Sequence, residues 1–376
     1  MAGAVAALTL WMMQQLSGLI WSGSDSRWYI VTVILGGGVL LALLRLIYAG
    51  EGLAAQLAED VPQTRKQVSH IAVLIAMAVV AVAFGGSIGP EAGLLAVVTE
   101  LGALVSLLLA RNAQERHYIS DVGAAAALGG LYGSPLGGAA TAEQGEAAPR
   151  WQLYLAATAG LVGFLLTTKF ALHGEGMRVH LPPHISAMDG TDFFAALPAA
   201  VLGAAVGVAF VKLLPWLEQM LAKTGGIVVQ TMVGTLLFAA LAATLPILRF
   251  SGHAELEDLV HWGETIGAPA LLLLAGLKIV ATALCLSAGW RGGAAFPLLF
   301  AGAAAGGALL GLFPQIPVTV MLVGGMTAAL TVGMGKPLAG ALIALLLIGP
   351  VSVGAMAAGA MVGWAAAQRW PSSAVH

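Results

Sequence analysis

Charge is what this sequence has least of. Only 9% of its 376 residues are Asp, Glu, Lys or Arg, while 59% are hydrophobic, and the mean hydropathy is +0.92. Soluble domains carry about 25% charged residues, so a water-facing globular fold is excluded and an integral membrane protein remains. No charged residue occurs for 44 residues from Gly292 to Gly335, nor for 32 residues from Pro337 to Gln368. Cysteine is nearly absent. Cys285 alone excludes an intrachain disulfide and reads as a buried bystander in an apolar run. A net charge of −2 with no basic tail excludes nucleic acid as a partner. There is no HExxH, no Gly-x-Ser-x-Gly and no nucleotide-binding loop, so neither an enzyme nor a cofactor is expected. His173, His180 and His184 are poorly spaced for a metal and read as solvated loop residues. No basic n-region precedes the apolar run Met1 to Trp21, which argues against a cleavable signal.

Glycine is abundant, with 50 residues, and points to close helix packing and interrupted helices. The pattern predicts an all-α polytopic membrane protein with tilted and broken spans. Candidate helices in the first half are 4–21, 29–49, 51–59, 68–85, 90–110, 116–131, 135–143 and 152–171. The second half offers 195–215, 226–247, 255–262, 267–289, 296–312, 317–331, 336–348 and 350–368. The expected organisation is a first half over residues 1–175, an inter-half loop over 176–194, and a second half over 195–376. Arg65 with Lys66, and Arg111 with Arg116, place two connections in the cytoplasm by the positive-inside rule.

The chain is organised around Gly85-Gly86-Ser87-Ile88-Gly89-Pro90-Glu91, between two apolar runs. Three glycines and a proline cannot sit inside one helix, so two helical segments meet here. The second begins at Pro90 and offers unpaired backbone N–H groups and a positive dipole end. A broken helix whose N-terminus faces a cavity suits an anion. This stretch has an echo. Gly292-Gly293-Ala294-Ala295-Phe296-Pro297 repeats it at an offset of 207 residues. Downstream, Gly133-Ser134-Pro135-Leu136-Gly137-Gly138-Ala139 is repeated by Gly335-Lys336-Pro337-Leu338-Ala339-Gly340-Ala341 at an offset of 202. Broken segments at matching places in two halves point to a transporter's binding site.

These residues resemble the CLC superfamily of chloride channels and proton/chloride antiporters. Gly86-Ser87-Ile88-Gly89-Pro90 is similar to the family's Gly-Arg/Lys-Glu-Gly-Pro motif, and Gly293-Ala294-Ala295-Phe296-Pro297 to its Gly-x-Phe-x-Pro motif. Gly50-Glu51-Gly52 stands near where a Gly-Ser-Gly-Ile-Pro motif belongs. The resemblance implies an inverted-repeat bundle, one anion pathway per subunit and a homodimer in a bacterial inner (plasma) membrane. It describes a divergent bacterial-type member without a cytoplasmic regulatory domain. The departures are informative. The family's gating glutamate falls on Ile88, its motif Phe on Ala295 with Phe296 one place later, its central Ser on Glu51, and its late pathway Tyr has no clear match.

The expected pathway residues are Gly50, Glu51, Gly52, Gly86, Ser87, Ile88, Gly89, Pro90, Glu91, Gly293, Ala294, Ala295, Phe296 and Pro297. The amides of Ile88, Gly89, Ala294 and Ala295 are the first-choice ligands for a small inorganic anion such as chloride. Glu91 reads either as a dipole-stabilising acid at a helix start or as a gate. Glu51 reads as a gate, a protonatable group, or the start of a short interfacial helix. Glu143 and its neighbour Glu146 read as loop acids or, by the resemblance, as a proton-transfer group. Lys278, in an apolar span, is expected to snorkel or to pair with an acid. The leading expectation is passive chloride conduction, because Ile88 cannot ionise. The alternatives are a proton-coupled antiporter using Glu51 or Glu91, or an anion other than chloride.

Overall fold

The computed structural model describes residues 1–57, 63–98, 105, 112–142, 148–172, 181, 182, 184, 190–256, 258–348 and 352–371. Helices dominate these. The first half contains α1 (Ala2–Trp21), α2 (Arg27–Leu57), α3 (Gln63–Ala83), α4 (described over 91–98), α5 (Ala113–Leu131), α6 (Pro135–Ala142) and α7 (Arg150–Leu166). A π-helical turn, Thr167–Leu172, extends α7. The second half contains α8 (Thr191–Ala222), α9 (Ile227–Thr244), α10 (Asp258–Thr265), α11 (Ala268–Ser287), α12 (Ala295–Gly307), α13 (Val318–Met334), α14 (Pro337–Ile348) and α15 (Val353–Arg369). Among the described residues, six helices are long and apolar enough to cross a membrane. The two short helices expected over 29–49 and 51–59 are one element, α2; Gly50, Glu51 and Gly52 continue its backbone.

Helix lengths explain the layering. The 32-residue α8 runs through Pro198 and Pro215 and spans about 48 Å, so it crosses a ~30 Å apolar slab only when tilted. By contrast, α12 has 13 residues, reaching only about 20 Å. Every residue of α12 is buried. It packs with α13 among α8 and α11, and α15 closes over α13. Close approach requires glycine here. A Cβ on Gly302 would lie 2.4 Å from the Gly325 carbonyl oxygen across the α12–α13 contact.

The internal repeat is present in the backbone. Gly85 and Gly289, 204 residues apart, end the runs of α3 and α11 with φ of 84° and 87°. Gly133 and Gly335, 202 residues apart, follow α5 and α13 with φ of 61° and 63°. The junction offset is therefore 204, not the 207 read from the glycine-proline letters. Proline misled the alignment: Pro90 stands just before α4, whereas Pro297 is the third residue of α12. The echoed segments also meet. Gly89 and Gly293 form an isolated antiparallel bridge, α14 packs on α6, and Ser134 Oγ donates to the Leu342 carbonyl at 3.4 Å.

A short segment covers the α3–α4 turn. It begins with a 3-10 helix, Pro246–Leu248, and passes through Phe250, whose φ of 57° is the one left-handed value at a non-glycine among the described residues. The Phe250 amide donates to the Gly85 carbonyl at 3.2 Å. Lys278 holds the segment from below. Its Nζ lies within 3.5 Å of the carbonyl oxygens of Ile247, Leu248, Arg249 and Phe250, closest to Phe250 at 2.9 Å. Lys278 is fully buried, so it does not snorkel; it forms no salt bridge among the described residues, and peptide dipoles solvate its charge, with Glu255 within electrostatic reach. Outside, Arg249 pairs with Asp25 at 2.9 Å and stacks over the Trp21 ring.

His184 also departs from expectation. It is half-buried, and its Nε2 lies 3.0 Å from Asp192 at the start of α8. Asp192 in turn accepts from Ser352 Oγ, the cap of α15.

Candidate functional site

The site is built where the two turns face each other. After Gly85, the chain folds back through Gly86 to Gly89 and enters α4; after Gly289 it folds back through Gly293 and enters α12. The Gly89 amide donates to the Gly293 carbonyl at 2.8 Å, and the Gly293 amide donates to the Gly89 carbonyl at 2.8 Å. The Ile88 amide donates to the Gly86 carbonyl at 2.8 Å. So the amides of Ile88 and Gly89, expected to meet an anion, are already satisfied within the protein. The reason is geometric: the two turns approach closely enough to hydrogen-bond each other, which sequence offsets do not disclose.

Glu91 completes the arrangement. It is the first residue of α4 and is 95% buried. Its carboxylate reaches across to the other half, where the Ala295 N–H at the start of α12 donates to Oε1 at 2.8 Å. The amides of Glu91 itself and of Phe296 also face the carboxyl group. Oε2 is buried with no hydrogen-bond partner among the described residues. The carboxylate thus occupies the positive end of α12 in the manner of a bound anion. Glycine on both sides is a requirement of this placement. A Cβ on Gly89 would stand 1.9 Å from Glu91 Oε2, and one on Gly293 would stand 2.3 Å from Glu91 Cδ.

The other expected residues sort around this contact. Ser87 is fully buried and its Oγ lies 3.3 Å from Thr282 Oγ1 on α11. Ile88 is buried, and its side chain fills the space over Gly292, where a Cβ would lie 2.5 Å from Ile88 Cδ1. Gly86 is packed against Trp290 and the Ala81 carbonyl. The Ala294 amide meets no acceptor among the described residues. Phe296 and Pro297 are buried in the first turn of α12. The side chains of Gly50, Glu51 and Gly52 lie outside the described part of α2, and Glu143, Glu146, His173 and His180 lie outside the described residues.

Three residues that sequence reasoning passed over flank the site. Tyr132, buried at the end of α5, sets its ring 6.3 Å from that of Phe296 and lies within electrostatic reach of Glu91. His253 meets Phe296 edge to face at 5.5 Å. Arg291 lies within the second turn and is exposed. Tyr132 immediately precedes the echoed Gly133-Ser134-Pro135, which was the signal available for it.

The family model for the voltage-gated chloride channel matches residues 49–368. Among curated proteins, the chain is similar to the putative ion-transport protein YfeO of Escherichia fergusonii, with 25% identity over 323 residues, covering 84% of this chain and 76% of the relative. The YfeO protein of Escherichia coli is 25% identical over 317 residues, covering 83% and 74%. Among solved structures, a CLC-type fluoride/proton antiporter superposes with a TM-score of 0.72 at 19% identity, covering 97% of this chain and 92% of that one. A slow cyanobacterial Cl-/H+ antiporter superposes with a TM-score of 0.74 at 16% identity, covering 99% and 93%.

Proposed function

The chain belongs to the voltage-gated chloride channel family, and from that premise we propose that it moves small inorganic anions such as chloride across a bacterial inner membrane, with Glu91 as the gate. The proposed assembly is a homodimer with one pathway in each subunit. The observation that carries the reading is the 2.8 Å hydrogen bond from the Ala295 amide to Glu91 Oε1. A carboxylate oxygen holds the place that a chloride ion would take at a helix N-terminus. The helix end favours either negative charge by about 0.5–2 kcal/mol. An incoming anion and an ionised carboxylate repel each other at such range. Passage therefore requires Glu91 to swing aside or to bind a proton.

The second of these ties anion movement to proton movement, through a residue three places after the motif position held by Ile88. Passive conduction is the second reading, favoured by Ile88 itself, which carries no titrating group. Liposomes containing only this protein, under an imposed chloride gradient and followed with a pH electrode, separate the two. Proton movement uphill, abolished in Glu91→Gln while chloride flux persists, supports the gate. Chloride flux without protons in the unaltered protein makes it a channel. Absence of flux for both chloride and fluoride sinks the transport reading.

A further inference from the structure

The second turn carries a pair of positive charges that the gate does not use. Arg45 lies on α2, inside the span Arg27–Tyr48. Its guanidinium lies against Gly289, where a Cβ would stand 2.3 Å from Arg45 Cζ. Nη1 donates to Thr231 Oγ1 at 2.6 Å and to the Ala288 carbonyl at 2.8 Å. Nε and Nη2 meet no acceptor among the described residues. Arg291, two residues after Gly289, is exposed, and its guanidinium sits 5.5 Å from the ring centre of Tyr48, one turn beyond Arg45 on α2. The two guanidiniums are within electrostatic reach of each other. No carboxylate pairs with either among the described residues.

Two like charges held near one helix turn repel each other, and an anion bound beside them relieves that repulsion. The fold nevertheless fixes this pair: Thr231 and Ala288 anchor Arg45, and Tyr48 supports Arg291. The Arg45 donors that meet no acceptor among the described residues belong to a planar fork suited to anions. Position matters as well. Gly292 and Gly293 lead directly from Arg291 to the Glu91 carboxylate, and a Cβ on Gly93 of α4 would stand 3.7 Å from the Arg291 carbonyl oxygen. The equivalent turn in the first half has its arginine already paired: Arg249 lies over the Trp21 ring and binds Asp25 at 2.9 Å. There Gly85 is covered by the Trp21 indole, with Cζ2 2.7 Å from where a Cβ would stand.

We propose that Arg45 and Arg291 form a binding site for a small inorganic anion at the mouth of the second turn, ahead of Glu91. The site rests on the reading of Glu91 as a gate only for its purpose, which is to raise the local anion concentration beside the carboxylate that the anion replaces. Occupancy itself needs no transport.

Two measurements test it on the full chain. In liposomes, the chloride concentration giving half-maximal flux is expected to rise about five-fold in Arg291→Gln, with the maximal rate kept. Arg45→Gln is expected to shift like Arg291→Gln, and Arg45→Lys, which keeps the charge but loses the planar fork, to fall between Arg45→Gln and the unaltered value. Arg291 is exposed and its side chain makes no hydrogen bond among the described residues, so its variant keeps the test open if Arg45→Gln fails to fold. A folded Arg291→Gln protein with an unchanged saturation curve overturns the proposal. Separately, crystals grown in bromide are expected to show an anomalous peak between the two guanidiniums, and its absence overturns the site. That second readout stands even if the protein carries no chloride.

Discussion

The turns at Gly85–Glu91 and Gly289–Ala295 share one backbone course and differ at nearly every side chain that matters. Both begin with glycine in the left-handed region, at φ of 84° and 87°, and they bond to each other through Gly89 and Gly293. At the 204-residue offset, Ile88 stands opposite Gly292 and Glu91 opposite Ala295. Each large side chain from the first half enters space left by a small one in the second: Ile88 over Gly292, and the Glu91 carboxylate beside Gly293 and the Ala295 amide. Ser87 is matched by Arg291, and the Trp21 cover by the Arg45 guanidinium. The comparison teaches a division of labour. The repeated backbone supplies two helix starts that face each other, and the unlike side chains give the first a carboxylate and the second the amide that binds it, with two arginines beside it.

Breaking the shared backbone is expected to have the largest effect. Gly293→Leu forces a side chain into the Glu91 carboxyl group and against the bridge, so chloride flux should fall to the level of empty liposomes. Gly89→Leu should do the same, with the protein still eluting as a folded species in detergent. Flux at the unaltered rate in a folded Gly89→Leu protein would remove the junction from the pathway.

Removing the asymmetry comes next. Glu91→Ala frees the Ala295 amide and takes away a competitor worth about 1–2 kcal/mol at a helix end, so passive anion leak should rise about ten-fold. A leak that stays unchanged would mean the carboxylate does not obstruct the path.

Transferring the asymmetry sharpens the comparison further. Glu91→Ala combined with Ala295→Glu places the carboxylate on the other helix start, facing the vacated amide at position 91. If the halves are equivalent in backbone, the leak should return part of the way towards the unaltered protein. Failure of the double variant to lower the leak below Glu91→Ala alone would show that the neighbouring side chains, not the backbone, hold the carboxylate.

The smallest effect concerns packing across the turns. Ile88→Val removes one methylene from a fully buried contact over Gly292 and should destabilise the protein by about 0.5–1.5 kcal/mol. Thermal unfolding in mild detergent would read this as a small fall in Tm, with flux little changed.

Much of the fold was legible because its signals are local. Missing charge marked the membrane segments, and glycine with proline marked the places where helices break. The site was only half legible. Gly89, Glu91, Gly293 and Ala295 stood out as letters of a repeat, but which amide faced which acceptor did not. Gly89 and Gly293 satisfied each other, and Glu91 crossed to the opposite half. Lys278 shows the same limit. The run around it was readable as a span, yet its four carbonyl partners lie 28 to 31 residues away in a segment turned through Phe250.

By itself, then, the sequence determined the membrane class, the two broken-helix junctions and the existence of a repeat. Each of these follows from backbone freedom and side-chain polarity within a few residues. Only the tertiary structure decided the 204-residue register, the closing of Gly89 on Gly293, the placing of the Glu91 carboxylate at the start of α12, and the seating of Arg45 on Gly289. Those contacts join residues about 200 positions or more apart. Their geometry depends on how α2, α3, α11 and α12 pack as solid bodies, which no local pattern encodes.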